Sequence, residues 1–195
     1  MSRPREFATD TVIERAMQLF WSKGYEATSL DDLCEATGLS RSSLYAAFGD
    51  KRHLLFESLS RYVDRGAEHI AKALAREVPL RAALAHFLAE FIDAIIAGPG
   101  RRGCFIGNCA AELARHDREA MKRVRVALAR NEGYFYDALV AAQGRGELSA
   151  TADLRALARF LTSSIQGLRL VGKANPDRPA LEDIAAMILR RLDDQ

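Results

Sequence analysis

Cysteine is scarce in this sequence, three in 195 residues. Cys34, Cys104 and Cys109 are an odd number at no zinc-like spacing, which argues against a disulfide framework and against a zinc cluster. Proline is rare too, at five residues, and β-branched runs are sparse, which disfavours a sheet protein. Long hydrophobic runs are missing. The most apolar stretch, residues 87–97, is broken by Glu90 and Asp93, so neither a membrane span nor a membrane partner is expected. The first ten residues, MSRPREFATD, lack the apolar core of a secretion signal, and a cytoplasmic location is the expectation. A strong charge of either sign is also absent. The formal net charge is +2, and the first 56 residues carry seven basic and eight acidic side chains. Any case for a nucleic-acid partner must therefore rest on where the cations lie.

What is present in quantity is Ala, Leu, Arg and Glu at helical spacing. Apolar residues make up 49% and charged residues 28% of the chain, a balance that supports a packed core and excludes wholesale disorder. Residues 9–23 carry Val12, Ile13, Ala16, Met17, Leu19 and Phe20 on a helical period and stop at Gly24. Thr28 or Ser29 can cap the next helix, which ends at Gly38; each has an Asp three residues on. Ser40 caps residues 41–48, and Asp50 caps a long helix to about Arg76. Pro79 opens residues 80–97, GPGRRG breaks the chain, and a short helix runs to about Ala114. Helices over 117–143, 153–173 and 180–193 follow, separated by GRGEL and NPDRP. The expectation is an all-α fold of about nine helices without strands. Three short helices form an N-terminal helix-turn-helix domain, residues 1–52, and a C-terminal helical bundle spans 53–195.

The helix over 41–48, RSSLYAAF, has an unusual polar side. At 100° per residue Leu44, Ala47 and Phe48 point inward, while Ser42 and Ala46 point away, flanked by Tyr45 and Ser43. A solvated face normally carries Glu and Lys. This one is nearly bald, which allows close approach to a major groove, where Ser can bond base edges or phosphates and an Ala methyl can meet a thymine methyl. Arg41 stands at the start of that helix, Lys51 and Arg52 at the start of the next, and Arg3 and Arg5 on an N-terminal arm. All are placed for phosphates. Two readings remain for Tyr45, a packing residue or a reading residue.

The stretch FWSKGYEATSLDDLCEATGLSRSSLYAAFGDKRHLL resembles the DNA-binding domain of TetR/AcrR-type transcriptional repressors. That family's pattern is F-x-x-x-G-[YF], a Thr-[ST] cap, D-[IL]-x-x-x-[AT]-G-[VL]-S and L-Y-x-x-F-x-x-K. The resemblance implies DNA contacts by Thr28 or Ser29, Arg41, Ser42, Ser43, Tyr45 and Lys51, with Ala46 on the same face. Ala46 and Ala47 depart from the aromatic or His pair often found there, which reduces base contacts from those positions. It further implies a homodimer on a pseudo-palindromic double-stranded operator, released by a small-molecule, electrophile or oxidant effector bound in the larger bundle. The alternative is a helical small-molecule-binding or interaction protein that does not engage DNA.

Within the bundle, residues 153–173 show a core stripe and, about 80° around, a second stripe of Phe160, Ser164, Gly167 and Val171. With Ile184, Met187 and Ile188 of the last helix these form a candidate dimer interface; the competing reading is that both stripes are internal core. RRGCFIGNCAAELA (residues 101–114) resembles a segment in the NemR-like branch, where a cysteine after glycine senses electrophiles. Cys104 near a helix start beside Arg101 and Arg102 fits a thiolate sensor and equally a small packing residue. The candidate effector pocket comprises Phe87, Phe91, Cys104, Phe105, Asn108, Phe135, Ile165, Gln166 and Arg169. GPGRRG matches a phosphate-loop string but follows a helix instead of a strand. The four histidines are dispersed, so no metal site is expected, and with no His partner for Cys104 no catalytic residue, enzyme activity or cofactor is expected either.

Overall fold

The computed structural model describes the backbone of residues 3–75 and 78–193. Among these, nine α-helices and one short 3-10 turn appear, and no strand. The helices are α1 Arg3–Lys23, α2 Leu30–Thr37, α3 Arg41–Phe48, α4 Lys51–Leu74, α5 Leu80–Ile96, α6 Phe105–Leu113, α7 Arg118–Gly144, α8 Leu154–Ala174 and α9 Arg178–Asp193. The all-α expectation and the order of the helices hold. Helix α1 starts at Arg3, so the segment read as an arm has helical backbone; the side chains of Arg3 and Arg5 lie outside the described residues, as does the expected helix end at Arg76. The 3-10 turn Pro99–Arg102 occupies GPGRRG, between α5 and α6.

Two compact units emerge from the packing. One comprises the chain up to Arg65 together with Phe105–Arg125; the other comprises Gly66–Cys104 and the chain from Val126 on. The sequence places a boundary after residue 52, whereas by packing α6 and the start of α7 belong with the first three helices.

In the first unit α1 packs on α2, and α2 on α3. Met17 and Phe20 of α1, Leu33 of α2, Leu44 of α3, and Leu54, Leu55 and Leu59 of α4 are buried. Ile106, Cys109 and Leu113 supply the buried face of α6, and Ala120 and Val124 that of the first turns of α7. Arg61 and Arg65 of α4 reach Glu14 of α1 at 2.9 and 2.7 Å, and Glu14 is held below its ordinary pKa: burial works the other way, but hydrogen bonds from Gln18, Arg61 and Arg65 prevail.

The second unit has one hydrophobic cluster built from α5, α7, α8 and α9, with Ile70 and Ala73 of α4. Leu157, Leu161, Ile165 and Leu168 of α8 share it with Leu181, Ala185, Ile188 and Leu192 of α9, the i, i+3, i+4 pattern of a helix facing a core. Ion pairs Arg81–Asp193 and Arg178–Asp93, each 2.7 Å, tie α5 to α9 at the surface.

Candidate nucleic-acid interface

The first unit assembles a helix-turn-helix through local capping. Ser29 is the N-cap of α2: its hydroxyl accepts the Asp32 N–H at 3.1 Å, and the Asp32 carboxylate accepts the Ser29 N–H at 2.7 Å, a complete capping box. Lys23 adds a 2.6 Å ion pair to Asp32, and Lys23 first, then Ser29, hold that carboxyl well below the usual range. At the far end Gly38 takes φ +74° and donates its N–H to the Cys34 carbonyl at 2.8 Å. An L side chain rarely adopts that conformation, so the turn between α2 and α3 depends on glycine. Ser40 then caps α3, accepting the Ser43 N–H at 3.2 Å.

On α3 only Leu44 is fully buried, and Phe48 is half-buried. Ser42, Ser43, Tyr45 and Ala46 are exposed as expected, Tyr45 by 48%. Ala47 is exposed as well, a correction to the inward trio. It lies 60° off the Leu44 direction, and a single methyl there is too short to reach the core. The bald face is thereby wider, five outward side chains with no long charged one among them.

The cations are placed less simply than the sequence suggests. Arg41 is exposed and clasped in two-pronged fashion by Asp31, with Nη2 at 2.7 and 2.8 Å and Nε at 3.0 Å from the carboxylate oxygens. Asp31 thereby raises the guanidinium's pKa and fixes its plane at the foot of the bald face. Lys51 turns inward: its Nζ donates to the carbonyls of Tyr25 and Thr28 at 2.9 and 2.8 Å and lies 4.2 Å from the Tyr25 ring centre. Two of its three N–H donors are thus used within the fold. Arg52 pairs with Asp117 through both of its forks, at 2.6 and 2.7 Å, and this neighbour draws the Asp117 carboxyl down to about 2. Thr28 is completely buried and its hydroxyl donates to the Gly24 carbonyl. It is therefore an internal tie of the turn before α2, leaving Ser29 as the exposed hydroxyl there.

The candidate pocket residues are divided between the two compact units. Phe87, Phe135 and Ile165 belong to the hydrophobic cluster of the second unit, where the Phe87 ring lies 6.0 Å from Phe91 and 6.4 Å from Phe135. Arg169 covers the Phe91 ring at 4.4 Å, and Gln166 is half-buried. Cys104 is buried. Phe105 and Asn108 fall in the other compact unit, where the Phe105 ring meets Tyr62 edge-on at 5.7 Å. Of the candidate dimer residues, Phe160, Val171 and Met187 are exposed, and a Cβ on Gly167 would meet open space. Ile188 is buried in the cluster, a correction. It lies on the same stripe of α9 as Leu181, Ala185 and Leu192, and that stripe faces α5 and α8. Leu170, outside the set read from the sequence, is 68% exposed and stands one residue from Val171, at helical spacing from Gly167.

This geometry, two capped helices set by a glycine turn with the second presenting a shallow face beside a fixed guanidinium, defines a DNA-binding helix-turn-helix. The family model for bacterial regulatory proteins of the tetR family matches residues 12–57, and that for the tetracyclin repressor-like C-terminal domain matches residues 79–188. The chain belongs to the TetR family and is a DNA-binding transcriptional repressor of that type. It is 35% identical over 189 residues to the transcriptional repressor ComR of Escherichia coli K12, covering 96% of this chain and 90% of ComR. It is 32% identical over 194 residues to the uncharacterized regulator YezE of Bacillus subtilis 168, covering 99% and 100%. Among solved structures, a cysteine mutant of the TetR-family regulator CifR, complexed with a 26-base-pair operator duplex, superposes with TM-score 0.83 at 30% identity, over 96% of this chain and 98% of that one.

Proposed function

We propose that the protein acts in the cytoplasm as a homodimer, each copy seating α3 in the major groove of one half-site of a pseudo-palindromic operator. The half-sites would lie about one helical turn, roughly 10 bp, or a multiple apart. The observation that carries this reading is the five-residue bald face of α3, exposed and without a long solvating charge. Ser42, Ser43, Tyr45, Ala46 and Ala47 meet base edges and thymine methyls. Arg41 and Ser29 hold phosphates, and Lys51 has one remaining N–H for the backbone of the duplex. The second copy docks on the apolar strip of Phe160, Gly167, Leu170, Val171 and Met187. The CifR complex with operator DNA supports the DNA partner.

Release is assigned to a small-molecule effector in the second unit, near the half-buried Phe91, Gln166 and Arg169. The effector favours a dimer geometry that no longer matches successive grooves, and by reciprocity DNA weakens its binding. The burial of Cys104 weighs against direct attack by an electrophile on its thiol. No catalytic step is assigned to the chain.

Selection of bound duplexes from a random pool tests the reading. A two-fold related consensus is expected, with affinity falling steeply as salt rises. Absence of any selected sequence would reject it in favour of a helical carrier or interaction protein.

A further inference from the structure

In the turn Gly24–Thr28 between α1 and α2, the Gly24 N–H returns to the Phe20 carbonyl of α1 and the Thr28 N–H to the Tyr25 carbonyl, whereas two N–H groups between them are met from outside the turn. The N–H groups of Tyr25 and Glu26 both point to one carboxylate, that of Glu112 on α6, at 3.0 Å (Oε2) and 2.7 Å (Oε1). Two consecutive N–H groups converging on an anion form a nest, here filled by a side chain from 86 residues away. Gly24, at φ +90°, makes the approach possible: a Cβ there would stand 3.2 and 3.3 Å from the carboxylate oxygens. The carbonyls of the same turn, those of Tyr25 and Thr28, are met by the Lys51 ammonium. The turn is thus clamped by an anion on its donors and a cation on its acceptors. The next residue out is Ser29, the N-cap of α2, so the clamp fixes where α2 begins and, through the Gly38 turn, the pose of α3.

We propose that Glu112 is a positioning residue for operator recognition. Its carboxylate holds the turn that aims the helix-turn-helix, without touching DNA itself. This assignment rests on the DNA-binding function proposed above. Hydrogen bonds to a charged acceptor are the stronger kind, and losing one leaves a backbone donor unsatisfied. Glu112→Gln keeps the shape of the side chain but sets an NH2 group against one of the two backbone N–H groups.

The experiment compares wild type, Glu112→Gln and Glu112→Ala on the duplex selected by the wild-type protein and on a scrambled duplex of equal length. Amide hydrogen exchange at Tyr25 and Glu26 is read in parallel. For Glu112→Gln the operator Kd is expected to rise about tenfold, the equivalent of one charged hydrogen bond, with the scrambled-duplex Kd within about twofold. Exchange at both amides should accelerate. A merely stabilising role would lower binding to both duplexes together, through the folded fraction, and would overturn the proposal. So would an unchanged operator-to-scrambled ratio, or unchanged exchange. If Glu112→Ala fails to fold, the isosteric Gln variant still decides. A wild-type chain that selects no duplex at all removes the DNA-binding reading and this role with it; selection by wild type with an unaltered ratio in the Gln variant removes only the role of Glu112.

Discussion

Lys51 and Arg52 are adjacent cations at the start of α4, and both are drawn away from solvent by partners distant in sequence. Lys51 is held by the carbonyls of Tyr25 and Thr28, and Arg52 by Asp117. Arg41, in contrast, keeps an exposed guanidinium, paired only with the surface carboxylate of Asp31. Salt dependence of operator binding should separate them: Arg41→Ala is expected to lower the slope of log K against log salt by about 1, one phosphate contact. An unchanged slope would reject a phosphate role for Arg41. Asp117 offers a pH test. Its folded pKa of about 2 lies below the ordinary aspartate value of 3.8. The Arg52–Asp117 pair therefore contributes stability that is full above about pH 4 and is lost as pH falls toward 2. Discounted for the part-exposed Arg52, that contribution is about 1–2 kcal/mol. Denaturant unfolding of wild type and Asp117→Asn should differ by that amount at pH 6, and the two curves should converge near pH 2. These tertiary partners were not legible in the sequence. Nothing in the local pattern around Lys51 or Glu112 encodes a contact made 23 to 87 residues away. Thr28 misled for the same reason: the spacing that lets Ser29 cap α2 puts its neighbour on the inside.

At the scale of the element, local chemistry explains why the helices could be read in order. Hydroxyl caps at Ser29 and Ser40 and the glycine stop at Gly38 are properties of consecutive residues, and the inward stripes of α8 and α9 follow from helical periodicity. The two departures have different causes, one at the margin of a stripe and one within it. Ala47 is too short to be drawn in, and Ile188 shares the stripe that faces α5 and α8. Helix α3 is two turns long and anchored by one fully buried side chain, Leu44. Leu44→Ala is expected to cost about 2–5 kcal/mol, seen as a lower unfolding midpoint by denaturant. A loss under 1 kcal/mol would mean that α3 is held by something other than that anchor.

For the whole molecule, the function proposed above requires two copies, and the exposed apolar side chains Phe160, Leu170, Val171 and Met187 are the surface assigned to joining them. Met187→Glu, at a position 59% exposed in the single chain, should leave the fold intact and halve the mass measured by sedimentation. Operator affinity should fall roughly 100-fold, because linked binding of two half-sites is lost. A dimer of unchanged mass would move the interface elsewhere. Two stripes were evident on α8 from periodicity alone, but which of them would stay uncovered was decided by where α5 and α9 pack.

The two alanines on the outer surface of α3, Ala46 and Ala47, are exposed and add little to the stability of the protein that carries them. Leu44 and Phe48 keep the helix seated whatever stands at positions 46 and 47, whereas the Ser42 and Ser43 hydroxyls bond the Ser40 cap and Tyr45 is half-covered. The two alanine sites can therefore be exchanged at little risk of unfolding. A lineage could drift from one target sequence to another in single steps, and an engineer could rewrite the same address by substitution at the two alanines, where the slate is already blank.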